Sequence, residues 1–271
     1  MRVDYHCHTH FSQDSQAPME VQCQAAIARG LQEIAFTEHE DYNPGDPTSF
    51  YFRPADYMQA LARCREQFGD RLRIRAGIEI SEPHRHAERA TAVLRQHDWD
   101  FVLGSLHWVT PEVNTVLPEF FTAWCEGGWR EAFRRYFTEM IALAEQGDFD
   151  VLAHIDYPAR YGTAFFGDAY DIRDYEPILR EVLRALIRRG KGIEINTSPL
   201  RRGLPNPNPP AVVVRWFREM GGEVLTVGSD AHAPQDVGAD IDRALAIARE
   251  AGFTHIAVFE RRQPRFVQIQ D

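Results

Sequence analysis

Lysine is nearly absent from this chain: Lys191 is the single one, although Lys and Arg together number 30. Asp and Glu number 40, which sets the formal charge at −10. That balance excludes a broad cationic groove for nucleic acid, because phosphate backbones are held by clustered Lys and Arg. It leaves room for a small phosphorylated partner, which needs only a local positive patch. Cysteine is scarce as well. Cys7, Cys23, Cys64 and Cys125 form no C-x-x-C pair and no spacing suited to a disulfide framework. Long apolar runs are missing: the longest charge-free stretch, Gly203 to Val214, carries four prolines and is far too short for a membrane span. The first ten residues, MRVDYHCHTH, contain no apolar signal-peptide segment. A soluble cytoplasmic protein with neither a nucleic-acid nor a membrane partner is expected.

What the chain does contain is ordinary globular material, 44% hydrophobic and 11% aromatic over 271 residues. Short apolar runs occur at Val3–His8, Glu33–His39, Leu72–Ile80, Phe101–Val109, Phe149–Ile155, Gly192–Thr197 and Glu223–Asp230, with a last candidate at His255–Phe259. Amphipathic segments of helical period alternate with them: Pro18–Arg29, Ala55–Phe68, His86–His97, Trp129–Gln146, Tyr175–Arg189, Ala211–Met220 and Ala239–Ala251. Glycines at 30, 69, 147, 190, 221 and 252 stand where left-handed helix C-caps are expected. This alternation indicates βαβ units and a parallel sheet. Seven or eight repeats at this length suit a closed barrel, and no linker divides the chain, so 1–271 reads as one domain. Segments 50–54 and 205–210 read as rim loops.

The histidines and carboxylates gather at the ends of the runs. His6 and His8 close the first, His39 the second, Glu79 the third, His107 the fourth, His154 the fifth, and Asp230 with His232 the seventh; the sixth supplies none. In a parallel barrel these ends share one face, where active sites are built. Alternate strand residues point the same way, so His6-Cys7-His8 brings two imidazoles together and turns Cys7 aside. Asp230-Ala231-His232 repeats the device with a carboxylate.

Taken singly, each residue has a plainer reading: a hydrogen-bonded core histidine, or a glutamate capping a helix. Taken together they do not, because burying so many polar groups is costly unless something coordinates them. Imidazole and carboxylate without thiolate suit Zn, Mn or Fe, and the donors exceed the needs of one tetrahedral ion, so two or three divalent ions are expected. His10, His84, His86, His97 and His255 read as solvated or structural.

The segments His6-Cys7-His8, Thr37-Glu38-His39, Gly77-Ile78-Glu79 with Gly104-Ser105-Leu106-His107, and Ser229-Asp230-Ala231-His232, spread from Asp4 to His232, resemble the four motifs of the PHP (polymerase and histidinol phosphatase) family. The resemblance implies an α/β fold, a distorted (β/α)7 TIM-like barrel with its metal site at the C-terminal strand ends. It also implies one ion on His6, His8, Glu79 and Asp230, a second on Glu79, His107 and His154, and a third on Asp14, His39 and His232. Glu38 replaces the aspartate common in the T-D-H motif.

Within the family the chain is most similar to the stand-alone histidinol-phosphate phosphatases, through Gly104–Val109, Arg160-Tyr161-Gly162 and 194–198 followed by Leu200-Arg201. That likeness makes Arg160, Ser198 and Arg201 candidates to hold phosphate, with Arg202 an alternative to Arg201 because Pro199 stands where glycine is usual. The implied activity is hydrolysis of L-histidinol phosphate in histidine biosynthesis, with Asp230 or His232 handling a proton.

Other readings stay open: a PHP phosphoesterase acting on a nucleotide or a 3′ nucleic-acid end, an amidohydrolase-type barrel, or a barrel that uses metal only for stability. The amidohydrolase route through a carbamylated lysine is closed, since Lys191 precedes the sixth run. Walker-type and cysteine-phosphatase loops are absent.

Overall fold

The computed structural model describes residues 1–269. From β1 (Val3–Cys7) the chain passes through α1 (Met19–Ala28) to β2 (Glu33–Glu40), through α2 (Pro54–Phe68) to β3 (Arg73–Ser81), and through α3 (Ala87–Gln96) to β4 (Phe101–Ser105). A small antiparallel hairpin of β5 (Trp108–Thr110) and β6 (Val113–Asn114) follows, then α4 (Pro118–Thr122), α5 (Gly128–Gln146) and β7 (Val151–Leu152). Next come α6 (Thr163–Phe166), α7 (Glu176–Arg188), β8 (Gly192–Asn196), α8 (Ser198–Arg201), α9 (Ala211–Glu219), β9 (Leu225–Gly228) and α10 (Ile241–Glu250). The hairpin β10 (His255–Glu260) and β11 (Gln263–Gln268) ends the described chain.

Seven strands pair in parallel in the order β1-β2-β3-β4-β7-β8-β9 and curl into a nearly closed barrel. Each of the seven helical segments expected from periodicity is present within two residues at either end. Their apolar faces pack on strands buried on both sides, which explains why the strands read as continuous apolar runs rather than alternating ones.

The barrel closes between its first and last strands by other means than a ladder. At the upper rim Asp230 N donates to His6 O at 2.8 Å and His8 N to Ala231 O at 2.8 Å. Below them the buried Asp4 carboxylate accepts from Ser229 N (2.8 Å), Ser229 Oγ (2.5 Å) and Gly238 N (2.7 Å). One side chain thus satisfies donors that a neighbouring strand would otherwise take.

Three expectations differ from the structure. The run at His255–Phe259 is no eighth barrel strand; it pairs antiparallel with β11 beneath the barrel. The hairpin tip anchors it there, with Arg261 N on Asp100 Oδ1 (3.1 Å) and Arg262 Nε on Asp150 Oδ1 (3.0 Å). The run Phe101–Val109 breaks into β4 and β5, because Glu82 Oε1 takes the His107 and Trp108 amides at 2.6 and 3.0 Å. Among the expected caps, Gly30, Gly190, Gly221 and Gly252 are left-handed, whereas Gly69 and Gly147 are not. Those two are small for clearance: a Cβ would sit 2.4 Å from Arg65 O at Gly69 and 2.8 Å from a Phe149 ring carbon at Gly147. Among the described residues no helix is long and apolar enough to cross a membrane.

Candidate metal centre

The upper rim collects His6 from β1 and His8 just after it, His39 from β2, Glu79 from β3, His107 after β4, His154 after β7, and Asp230 and His232 after β9. Strand register sets them at one level: His39 pairs with Glu79 across β2–β3. His154 and Asp230 reach it from left-handed backbone, at φ 22° and 54°. Such local strain is tolerated where the surrounding structure over-determines it, commonly at functional sites.

His6, His8, Glu79 and Asp230 converge. His6 Nε2 lies 3.1 Å from His8 Nε2, 3.2 Å from Glu79 Oε2 and 3.8 Å from Asp230 Oδ1; His8 Nε2 lies 3.5 Å from both carboxylate oxygens. Donors bound tetrahedrally at the usual zinc distances sit about 3.3 Å apart, so the four atoms already enclose a volume fit for one cation. The other oxygen of Glu79 turns the opposite way, 2.9 Å from His154 Nε2 and 3.5 Å from His107 Nε2. Nearer solvent, Asp14 Oδ2 lies 3.0 Å from His232 Nε2 and 3.6 Å from His39 Nε2. Every metal-ligating residue expected from the sequence is therefore gathered in one cluster. Buried His107 Nε2 has no hydrogen-bond partner among the described residues, as an open ligand position requires, while His39 Nδ1 faces Glu79 Oε2 at 3.1 Å.

Burial and the clustered carboxylates pull the histidines of the site in opposite directions. Burial, reinforced by His232 and His39, lowers the His8 pKa to about 3, which leaves its imidazole neutral. Burial also disfavours charge on His6 and His107, but the carboxylates outweigh it. Glu194, Glu79 and Asp230 raise His6, and Asp41 with Glu79 push His107 up to about 10. Bound cations displace such protons, which couples metal uptake to pH. The donor set is that of a divalent-cation centre.

Beside the cluster opens a cavity of about 490 Å³. Arg160 forms one wall, its guanidinium 4.2 Å from the Tyr157 ring and 5.0 Å from the Tyr161 ring. Its Nη1 donates to Asp230 Oδ2 at 2.8 Å and to Ser198 Oγ. Arg201 is more heavily engaged: Nη1 meets Ser229 O at 2.7 Å, Nη2 meets Asp230 O at 3.2 Å and Nε faces Asp236 at 3.4 Å. Arg202 also lines the cavity, stacked 5.2 Å from the Tyr161 ring.

Sequence reasoning missed the layer behind the donors. The sixth run, which lacked a ligand, supplies Glu194, whose Oε1 takes His6 Nδ1 at 2.7 Å. Gly228 makes room for that contact, since a Cβ there would meet Glu194 Oε1 at 2.3 Å and His6 Cβ at 2.4 Å. Inward parity of Glu194 and Asn196 on an apolar strand was the available signal. His10 and His84 stand outside the cluster, the latter on Glu139 at 2.7 Å.

Residues 4–198 match the PHP domain. The chain is similar to the histidinol-phosphatase of Lactococcus lactis subsp. lactis, 30% identical over 260 residues that cover 95% of this chain and 94% of that one. It also resembles the crystal structure of a histidinol phosphate phosphatase from Lactococcus lactis complexed with zinc, L-histidinol and phosphate. There the TM-score is 0.87 at 28% identity, covering 97% of this chain and 98% of the other. A structure from Listeria monocytogenes aligns with TM-score 0.75 at 18% identity, over 89% of this chain and 99% of that one, and shows the fold alone.

Proposed function

The chain belongs to the PHP domain family, and from that premise we propose that it is a metal-dependent phosphomonoester hydrolase converting L-histidinol phosphate to L-histidinol and phosphate in histidine biosynthesis. The observation that carries the reading is Glu79, whose two oxygens face separate histidine sets at 3.2 and 2.9 Å beside a cavity walled by arginine. The similar Lactococcus lactis structure, with zinc, L-histidinol and phosphate, supports the choice of substrate.

Two or three ions drawn from zinc, manganese and iron fit these donors. The first is assigned to His6, His8, Glu79 and Asp230, the second to Glu79, His107 and His154, and the third to Asp14, His39 and His232. When bound, such ions neutralise phosphoryl oxygens and acidify water for attack at phosphorus. Arg160 supplies a fixed guanidinium that holds and orients the ester, and its stacking on two tyrosines limits the freedom lost on binding. Ser198 Oγ adds a hydroxyl beside it. Arg201 has five N–H donors, and its contacts leave it capacity for a phosphate oxygen while it braces the loop that carries Asp230. Of the two groups expected to handle a proton, Asp230 is held ionised against its burial by Arg160 and the neighbouring histidines, which leaves His232 for protonation of the leaving alkoxide.

The cavity volume lies in the range of small-molecule sites, and the acidic chain favours a small phosphorylated substrate over nucleic acid. The single domain spans 1–271, and its four free cysteines suit the reducing cytoplasm. Phosphate release by purified protein loaded with each metal tests the proposal. Turnover of histidinol phosphate well above that of nucleoside monophosphates is expected. Activity confined to nucleotides transfers the assignment to another PHP phosphoesterase, and no release with any metal refutes it.

A further inference from the structure

Two of the histidines in the cluster share a device that direct inspection of the donors does not show. His8 turns Nε2 toward the other donors and Nδ1 toward Ser12 Oγ at 3.0 Å. Ser12 Oγ lies 2.7 Å from Glu38 Oε2 and also accepts the backbone N–H of His39 at 3.0 Å. Glu38 is buried and takes two further donors, Thr9 N at 2.9 Å and Thr9 Oγ1 at 2.7 Å. His107 repeats the arrangement, with Nδ1 2.8 Å from Ser81 Oγ, which in turn donates to the buried Asp41 carboxylate.

Counting hydrogens decides the direction. A serine hydroxyl has one hydrogen and two lone pairs. At Ser12 the hydrogen goes to the Glu38 carboxylate and one lone pair goes to the His39 amide. The remaining lone pair can only accept, so His8 carries its proton on Nδ1 and presents a bare Nε2 to the cluster. At Ser81 the hydrogen is committed to Asp41, so His107 likewise keeps its proton on Nδ1, and Nε2 is the nitrogen left to yield its proton to a cation. His6 holds its Nδ1 proton without a relay, through Glu194.

We propose that Ser12–Glu38 and Ser81–Asp41 are hydroxyl-relayed positioning pairs that fix the tautomer and ring orientation of His8 and His107 and thereby set cation affinity at two different points of the cluster. The Ser12–Glu38 pair has a second effect: it holds the His39 backbone, so one relay ties the deep donors to the outer set. This rests on the metal-centre reading above, and its test is read by metal binding rather than by turnover.

The experiment compares wild type, Ser12→Ala, Glu38→Gln and the double variant. Zn²⁺ affinity is measured by chelator competition, and Co²⁺ spectra report the ligand field. Outer partners of ligating histidines typically contribute 10–100-fold in affinity. Each single variant is therefore expected to lose about that much. The double variant should lose little more than either, because both break one relay. Ser12→Thr, which restores a hydroxyl, should recover affinity. Melting of the metal-free proteins controls for misfolding: a variant that melts like wild type and still binds weakly supports the relay. Wild-type affinity in Ser12→Ala, or fully additive losses, overturns it. Failure of the wild type to bind any divalent ion overturns the metal-centre reading as well, so the two failures are distinguishable.

Discussion

Replacing Arg160 by methionine keeps an apolar stem against Tyr157 and removes the guanidinium that meets Asp230 Oδ2 at 2.8 Å. Two consequences separate. In catalysis the ester loses a charged donor; hydrogen bonds to charged groups contribute about 1.5–3 kcal/mol. At 1.36 kcal/mol per tenfold, kcat/KM should fall by roughly 10- to 150-fold. In stability the change leaves a buried carboxylate without its cation, at a cost of about 3–5 kcal/mol. For a chain of this size that lowers Tm by about 6–20 °C. Bound metal supplies replacement charge to Asp230, so the drop should be smaller in the loaded protein than in the metal-free one. The assay is steady-state phosphate release from histidinol phosphate together with melts with and without zinc. Unchanged kcat and KM in Arg160→Met would refute the phosphate clamp. An equal Tm loss in both forms would refute the assignment of Asp230 to a cation.

Substituting His6 and His8 together by alanine should abolish activity and lower the bound metal by about one ion per chain in elemental analysis, and retained stoichiometry is the contrary result. Gly228→Ala places a Cβ against His6 and Glu194 and is expected to destabilise by about 1–3 kcal/mol through overpacking. Its metal content should fall too, which a melt and a zinc titration would show; a normal titration contradicts the packing argument. Away from the centre, the hydrogen bond from His84, aided by Arg85 against partial burial, holds the Glu139 carboxyl below its ordinary range. A depressed folded value means stability that is present above the unfolded pKa, about 4.3, and is lost as pH falls through the folded value. Glu139→Gln should therefore lower stability in urea at pH 7 by under about 1 kcal/mol, and the loss should shrink as pH falls through the depressed folded value; a loss that does not change with pH refutes the pairing.

The donors were readable because strand geometry has a period of two and a parallel barrel sends its strand ends to one face. The same-face placement of His6 and His8 needed nothing more, and their Nε2 atoms meet at 3.1 Å. Helix positions were equally open, since long amphipathic segments leave little ambiguity. The supporting layer was not. Glu194, Ser12, Glu38, Ser81 and Asp41 are ordinary residue types whose role depends on contacts across 4 to 188 positions. No local period carries that. The place of the closing hairpin was hidden for a similar reason: His255–Phe259 is a strand as its pattern suggests, and Asp100 and Asp150 on distant segments hold it beneath the barrel. Arg201 resembled a free phosphate ligand in the sequence, while folding uses much of its capacity on Ser229 and Asp230.

The seam between β1 and β9 has a consequence for the order of events during synthesis. His6 and His8 leave the ribosome well before Asp230 and His232. Asp4 waits equally long for Ser229 and Gly238. A chain synthesised only as far as β8 thus holds histidines but cannot assemble the deep four-donor set. Formation of that set waits on the slow, long-range docking of β1 against the segment that follows β9.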